Sequence, residues 1–285
     1  MKLPAFEYAC PATLGEAVAL LASNDDAKVV AGGQSLMPMM AFRVSQPTML
    51  VDLRKLSDLR GIRIGEDGVR LGALVRWRDI EDDARLAQAH PLLAAAIEHV
   101  AHYQVRNRGT VGGSVAHADP AAEMPGIAMA CDAEITVAGK DGTRTIAAEE
   151  FFVGALTTVL EPDEIITEVK LPHWPAGRRW GFQEFARRRG DFAMSGIALF
   201  YDVGADGKAA NAHVGVIGIG EGPHRLTAVE TVINGRVVDA ALIVEAGVAA
   251  TKAVDPQDDI HASAAYRRSL TGTLVERALE HAAAL

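Results

Sequence analysis

The sequence predicts an α+β protein built from three consecutive units, residues 1–56, 57–176 and 177–285. Three observations lead to this fold class. The first unit places apolar strands and a helix close together, and the second alternates hairpins with helices. In the third unit a run of strands precedes a run of helices, which is typical of an antiparallel sheet covered on one face.

The first unit is predicted to be a compact βαβ-like lobe. Thr13 and Glu16 have the spacing of a capping box, and apolar residues on one face follow, so a helix should begin here. Residues 28–31 and 49–53 are short apolar runs that predict two strands. Because the strands and the glycine loop between them lie so close in sequence, we expect one small lobe.

The second unit combines two predicted hairpins with helices. Each hairpin has two short strands joined through an Asp-Gly turn, over residues 62–73 and 133–146. Helical periodicity covers residues 78–102 with an interruption at Pro91, and a short helix is expected over 121–130. The unit is therefore α+β by itself.

The third unit follows a strand over 164–171 and a Pro- and Gly-containing linker at 174–177. Its apolar pattern changes from the period of strands to the period of helices. The pattern predicts strands over 180–187, 194–203 and 210–219, followed by helices over 225–234, 239–253 and 264–284.

Two glycine-rich stretches are the best candidates for a binding site. Gly32 and Gly33 follow the strand over 28–31, and without a Cβ they would let an anionic group reach successive backbone N–H donors. Gln34 and Ser35 could add side-chain hydrogen bonds. The second stretch, residues 110–114, is expected to run as irregular backbone along a ligand rather than to begin a helix.

Either glycine stretch alone is compatible with a tight turn that binds nothing. The two together predict two lobes that close on one extended ligand with a diphosphate. Neither stretch has the G-x-G-x-x-G pattern of a doubly wound nucleotide fold, and the chain has no G-x-x-x-x-G-K-[ST] motif. These absences argue against a Rossmann site and a P-loop.

Composition limits the possible partners and the location. The chain has 28 basic and 37 acidic residues, and a net charge of −9 argues against general nucleic-acid binding. No apolar run approaches the ~20 residues that a membrane helix needs. The first residues lack a signal-peptide pattern, so a cytoplasmic location is expected. Two cysteines, Cys10 and Cys131, cannot supply a cluster of thiolate ligands.

No catalytic residue and no metal site is predicted. His117, Asp119 and Glu123 have side chains of the types that bind metals or exchange protons, but the spacing fits a turn before a helix better, with Asp119 capping beside Pro120. The basic run at 187–189 has the composition of a solvated strand end. Chemistry is therefore assigned to a bound cofactor.

Four stretches in order resemble one family, the FAD-binding medium subunits of three-subunit molybdenum hydroxylases. This family includes the carbon monoxide dehydrogenase medium subunit and the flavin domain of xanthine dehydrogenases. The stretches are residues 31–36, 104–114, 117–120 and 187–192. The resemblance implies a two-lobed vanillyl-alcohol-oxidase-type FAD-binding domain followed by a separate C-terminal α+β domain.

The resemblance also implies which residues bind FAD. The diphosphate would lie on the first loop, formed by Val29, Val30, Ala31, Gly32, Gly33, Gln34, Ser35 and Leu36. The opposite side would be formed by Thr110, Val111, Gly112, Gly113, Ser114, His117 and Asp119. The other positions are Val100 near adenine, Glu123 near the ribose, Ile165 against the isoalloxazine ring and Phe192 near N5.

One position departs from some relatives. Gln183 stands where they have a lysine near the polar edge of the flavin, so Arg187 or Arg188 is the candidate for the missing charge.

The implied function is electron transfer through non-covalent FAD. Molybdopterin and [2Fe–2S] clusters would belong to a large and a small partner subunit, in a dimer of heterotrimers. The chain would accept electrons from the [2Fe–2S] subunit and pass them to NAD⁺, O₂, a quinone or another acceptor. The alternatives are a free-standing FAD-dependent oxidase of the vanillyl-alcohol-oxidase type and a flavin-free scaffold.

Overall fold

The first lobe is a three-stranded parallel sheet with two helices. The structure is a computed structural model and describes residues 2–285. The strand order is β1-β3-β2, and both pairings are parallel. The elements are β1 (Glu7–Ala9), α1 (Leu14–Ala22), β2 (Ala27–Val30), α2 (Leu36–Ala41) and β3 (Met49–Asp52).

The predicted start of α1 is confirmed, because both hydrogen bonds of the Thr13–Glu16 capping box are present. Two elements of this lobe were not expected. Strand β1 has only three residues and no buried alternation, and α2 follows the glycine loop directly with Pro38 inside it. Neither leaves a clear periodic signal in the sequence.

The second lobe is built on a five-stranded antiparallel sheet in the order β4-β5-β10-β6-β7. Both predicted hairpins are present. Its strands are β4 (Ile62–Gly65), β5 (Gly68–Gly72), β6 (Glu134–Gly139), β7 (Gly142–Ala147), the small pair β8 (Phe152–Gly154) and β9 (Thr157–Thr158), and β10 (Ile165–Pro172). Its helices are α3 (Trp77–Asp82), α4 (Ala84–Ala89), α5 (Pro91–Ile97), α6 (Tyr103–Arg106), α7 (Val111–His117), α8 (Glu123–Ala130) and α9 (Ala148–Phe151).

The helical region expected over 78–102 is divided into three short helices, because two side chains cap new starts inside it. Asp83 accepts a hydrogen bond from the Arg85 amide at the start of α4. His90 Nδ1 accepts one from the Leu93 amide at the start of α5, with Pro91 in the first turn.

The third unit is a four-stranded antiparallel sheet, β11-β12-β13-β14, with three helices. The order of strands before helices is as predicted. The elements are β11 (Arg179–Phe185), β12 (Ser195–Val203), β13 (Ala209–Ile217), β14 (His224–Arg225), α10 (Thr227–Ile233), α11 (Ala240–Ala253) and α12 (Ala264–Ala284).

This last sheet is covered on both faces, whereas the sequence led us to expect one. Helices α10 and α12 pack on one face, and α8 of the second lobe packs on the other. The approach is close, because a Cβ built on Gly126 of α8 would lie 2.5 Å from Ile217 Cγ2. Phe182 and Phe200 of this sheet belong to the same apolar core as the second lobe. Both faces of the sheet are therefore buried.

Within residues 2–285 no helix has both the length and the apolar character that a membrane crossing requires.

Candidate functional site

A cleft of about 1730 Å³ is lined by all three units, and it brings together nearly all of the expected site residues. The first loop contributes every position from Val29 to Leu36. The remaining expected residues that line the cleft are Val100, Thr110, Gly112, Gly113, Ser114, His117, Asp119, Glu123, Ile165, Arg187, Arg188 and Phe192.

The first glycine loop offers backbone donors to this cleft. No hydrogen bond within residues 2–285 uses the amide N–H groups of Gly32, Gly33, Gln34 or Ser35. Gly33 has φ +71°, a left-handed conformation that glycine adopts without a Cβ penalty. The Gln34 side chain donates one hydrogen bond to Gly32 O at 3.1 Å, which braces the loop, and its second N–H is left for a ligand.

The second glycine stretch begins a helix, so the expectation of irregular backbone at residues 110–114 is wrong. Thr110 is the N-cap of α7, and its Oγ1 accepts a hydrogen bond from the Gly113 amide at 3.2 Å. The Val111 and Gly112 amides donate to carbonyls of the second lobe, and the Ser114 amide donates to Thr110 O. These four amides are therefore already used by the protein.

The glycines of α7 serve close packing. A Cβ built on Gly112 would lie 2.5 Å from Ala73 Cβ. A Cβ on Gly113 would lie 2.7 Å from Thr110 Oγ1 and 3.9 Å from Ala31 Cβ of the first loop. The two glycine stretches thus face each other, as expected, but the free N–H donors belong to the first loop.

Two expected residues do not line the cleft. Val111 is fully buried in the core of the second lobe. Gln183 lies on β11, where side chains alternate between the two faces of the sheet. Gly181, two residues earlier, packs against Ala278 of α12, which places Gln183 on the α12 side, away from the cleft.

The neighbouring residue, Glu184, lies on the opposite face of β11, and sequence reasoning missed it. Its Oε2 atom is buried and has no hydrogen-bond partner within residues 2–285. Burial, with the charge of Glu123 adding to it, raises the pKa of Glu184 to about 9. The available signal was the alternation along β11, which puts Glu184 on the same face as the apolar side chains of Trp180 and Phe182.

Burial also shifts two titratable groups that line the cleft, Glu123 and His117. Burial, with a smaller contribution from the charge of Asp119, raises the pKa of Glu123 to about 7. Burial lowers the pKa of His117. Asp119 Oδ1 accepts a hydrogen bond from the Ala121 amide at 2.9 Å, but the N-cap of α8 is Ala122, so Asp119 orders the preceding turn. Within residues 2–285 no three metal-binding side chains converge.

The third unit closes one side of the cleft with the β11–β12 loop. Arg187 and Arg188 are exposed on this loop, and Phe192 is 74% exposed. Arg267 of α12 also lines the cleft and was not anticipated. Its guanidinium donates to the carbonyls of Met194 and Gly218 at 2.7 and 2.6 Å, so it fastens the ends of two strands.

The sequence matches two family models that together span almost the whole chain. Residues 4–174 match the FAD binding domain in molybdopterin dehydrogenase. Residues 180–282 match the CO dehydrogenase flavoprotein C-terminal domain. The chain belongs to the FAD-binding medium subunits of the molybdenum hydroxylases.

Two relatives that are medium subunits align with this chain over nearly their full length. The nicotine 6-hydroxylase medium subunit of Paenarthrobacter nicotinovorans is 40% identical, covering 100% of this chain and 99% of the relative. The carbon monoxide dehydrogenase medium chain of Hydrogenophaga pseudoflava is 34% identical, covering 98% and 97%.

Solved structures of the same family agree closely with this fold. Carbon monoxide dehydrogenase from Hydrogenophaga pseudoflava, in a form that lacks the Mo-pyranopterin moiety of the molybdenum cofactor, has a TM-score of 0.96 at 36% identity, with 100% of this chain and 99% of that chain covered. Quinoline 2-oxidoreductase from Pseudomonas putida 86 has a TM-score of 0.95 at 38% identity, with the same coverage.

These findings confirm the family resemblance, the predicted fold class, the FAD-binding domain and the role as a medium subunit of a molybdenum-containing oxidoreductase.

Proposed function

We propose that the chain binds one FAD non-covalently in the three-sided cleft and relays electrons from a [2Fe–2S] subunit to a terminal acceptor. The observation that carries this proposal is the first glycine loop, whose free amides at Gly32 to Ser35 line a cleft that also contains the α7 glycines. Backbone N–H groups in such a turn favour an anionic group.

The residues of the cleft fit FAD in both charge and size. The first loop would hold the diphosphate, while Gly113 keeps the space opposite Ala31 clear of a side chain. Val100 would pack near adenine, and Glu123 would lie near the ribose. Ile165, at the start of β10, lines the cleft and would contact the flavin ring.

FAD supplies the ability to take up electrons singly and release them in pairs. The protein's own contribution is binding and orientation. The loop amides would hold the anionic diphosphate of the cofactor, and the apolar side chain of Ile165 would limit water at the wall. The exposed Phe192 side chain lies on the β11–β12 loop, where it would control access to the flavin.

The named relatives support a division of labour between subunits. Medium subunits similar to this chain come from enzymes named for nicotine, caffeine, carbon monoxide and glyceraldehyde. Such different substrates with similar medium chains suggest that the substrate site lies on another subunit. We propose a large molybdopterin subunit and a small [2Fe–2S] subunit as partners, in a dimer of heterotrimers in the cytoplasm.

Purification of the full chain, alone and with its partners, tests this function. The chain should be yellow, with flavin absorption at about 370 and about 450 nm, and denaturation should release FAD because no covalent bond holds it. A tagged chain should co-purify with two further chains that carry molybdenum and iron. A colourless chain that does not take up added FAD would overturn the proposal.

A second measurement separates the relay from a free-standing oxidase. Reduction of the flavin in the complex should require the organic substrate of the large subunit and intact iron–sulfur centres. Rapid flavin reduction by an organic substrate in the isolated chain would instead support an oxidase with its own substrate site.

A further inference from the structure

A second cavity of about 460 Å³ lies on the first lobe, and the proposed function does not use it. Its wall toward the main cleft is the first glycine loop, since residues 30–34 line both cavities. Helix α2 continues this wall, because Leu36 and Met39 line the main cleft, whereas Met37 and Pro38 line the second cavity. The loop and the helix therefore separate the two cavities.

The second cavity exists because α2 is too short to cover its face of the parallel sheet. Leu50 and Asp52 on β3 point to the same face, since side chains alternate along a strand. The strand register places Tyr8 of β1 beside Leu50 on that face. Met40 of α2 packs with Leu50 in a small apolar cluster. The six residues of α2 span only about 9 Å, so Tyr8 and Asp52 remain at the border of an open space.

A buried carboxylate fixes two side chains at the border of this cavity. Asp52 is only 3% exposed. Its Oδ2 accepts hydrogen bonds from the Tyr8 hydroxyl at 2.8 Å and from Arg54 Nε at 2.6 Å, and its Oδ1 accepts one from the Arg54 amide at 2.8 Å. Arg54 Cζ lies 5.9 Å from the centroid of the Tyr8 ring. An aromatic ring and a guanidinium are thus held side by side.

The second lobe adds one arginine to the same cavity. Arg108 lines the cavity, and among residues 2–285 its side chain forms no ion pair and no hydrogen bond. Its backbone is fixed, because its amide donates to Val105 O at 3.0 Å and its carbonyl lies against Gly32. The guanidinium of Arg108 is therefore available to a ligand, on a backbone that has a set position.

The charges around this cavity favour an anion. The lining contains two cations, Arg54 and Arg108, against one carboxylate, Asp52. The hydrogen bond to Asp52 raises the pKa of Tyr8 to about 12, so the phenol adds no negative charge. Most of the remaining lining is apolar, with the side chains of Phe6, Val30, Ala31, Met37, Pro38 and Leu50. The cavity therefore combines an apolar wall with an excess of positive charge.

We propose that this second cavity binds a nucleoside monophosphate, with the phosphate at Arg54 and Arg108 and the base against the apolar wall. Arginine binds phosphate through two parallel hydrogen bonds, and flat bases pack on aromatic side chains such as Tyr8. Small-molecule sites commonly measure about 300–1,000 Å³, and a cavity near the lower end of this range suits one nucleotide better than a dinucleotide such as FAD. This site is additional to the main cleft and does not depend on FAD.

The test is equilibrium dialysis of radiolabelled AMP against the full chain saturated with FAD, so that the main cleft is filled. AMP should bind saturably, with one molecule per chain. Added salt should weaken the binding, because both arginines are exposed. Adenosine lacks the phosphate and inorganic phosphate lacks the base, so each should bind at least about tenfold more weakly than AMP.

Arg108→Ala should weaken AMP binding about tenfold or more, because a charge-assisted hydrogen bond to the phosphate is lost. Tyr8→Ala should also weaken it, whereas Tyr8→Phe, which loses the same hydrogen bond to Asp52 but keeps the ring, should weaken it less. The matched control is Lys55→Ala, which removes an exposed cation beside Arg54 in the sequence but outside both cavities. Its AMP affinity should equal that of the wild type, and flavin content should report that each variant is folded.

The inference is overturned if the FAD-loaded chain binds no AMP saturably, or if Arg108→Ala binds AMP as tightly as Lys55→Ala does. It is also overturned if AMP binds only to chain without FAD and added FAD displaces it, since AMP would then occupy the main cleft. A wild-type chain that binds no FAD would contradict the proposed function alone. The comparison of Arg108→Ala with Lys55→Ala would still test the second cavity, because neither residue lines the main cleft.

Discussion

The α-carbon of Gly32 lies against the backbone of Arg108, so that a Cβ built on Gly32 would overlap the Arg108 carbonyl oxygen and lie 2.8 Å from its carbon. This contact joins the first glycine loop to the segment that leads into α7. The glycine is needed to let two lobes touch, in addition to any role in approaching a ligand. The position of the free amides therefore depends on backbone packing between lobes.

Gly32→Ala should lower FAD retention strongly and destabilise the chain by about 1–3 kcal/mol, a typical cost of overpacking. The reason is that the backbone of Arg108 cannot rotate away as a side chain could. Flavin content per chain after gel filtration and urea unfolding would measure both effects. Gly15→Ala is the control, because nothing lies within 4 Å of its Cβ position. That variant should keep FAD and gain up to about 1 kcal/mol.

Gly33→Leu should weaken FAD binding on the order of tenfold or more, because the left-handed backbone at φ +71° disfavours any side chain with a Cβ by about 1–2 kcal/mol and the leucine side chain adds bulk beside the loop amides. Gly33→Asn should lose less, since asparagine tolerates this conformation best among the other residues. Equilibrium dialysis with FAD compares the variants. Equal affinities for Gly33→Leu and the wild type would show that the loop conformation does not set FAD binding.

Thr110→Val should cost about 1 kcal/mol, because the Gly113 amide loses its acceptor while the side-chain shape is kept. Thr110→Ser should retain the cap and most of the stability. Unfolding midpoints in urea test the difference. If valine and serine variants have the same stability, the Thr110 hydroxyl does not stabilise the start of α7.

Glu184→Gln should remove a pH dependence of stability. The folded pKa of Glu184 is raised to about 9, so the folded state binds a proton that the unfolded state has released. The contribution of Glu184 to the free energy of unfolding is therefore largest below about pH 4.5, the unfolded pKa, and it decreases as the pH rises toward 9. The unfolding temperature of the variant should exceed that of the wild type by more at pH 8 than at pH 5.

The control for this change is Glu280→Gln, which removes one carboxylate from an exposed position on α12. It should leave the difference between the two pH values as in the wild type. A Glu184→Gln variant that is less stable than the wild type at pH 8 would mean that the buried carboxyl is ionised and satisfied in the folded chain.

The sequence by itself determined the features whose signals are local. The Thr13–Glu16 capping box, the Asp-Gly turns and the change from strands to helices after residue 177 depend on neighbouring residues and were read correctly. The glycine stretches were also found, since consecutive glycines are unusual in regular elements. Their order and the other matching stretches sufficed to recognise the family.

Only the tertiary structure decided which face and which donor each site residue uses. Gln183 and Glu184 are neighbours on β11 and therefore point to opposite faces of the sheet. Nothing in the local sequence decides which of these two faces packs against α12. The α7 amides look like free donors in sequence, but distant carbonyls at Ala73 and Val75 accept two of them. Such pairings depend on contacts between segments far apart in the chain, so they exist only once the lobes have packed together.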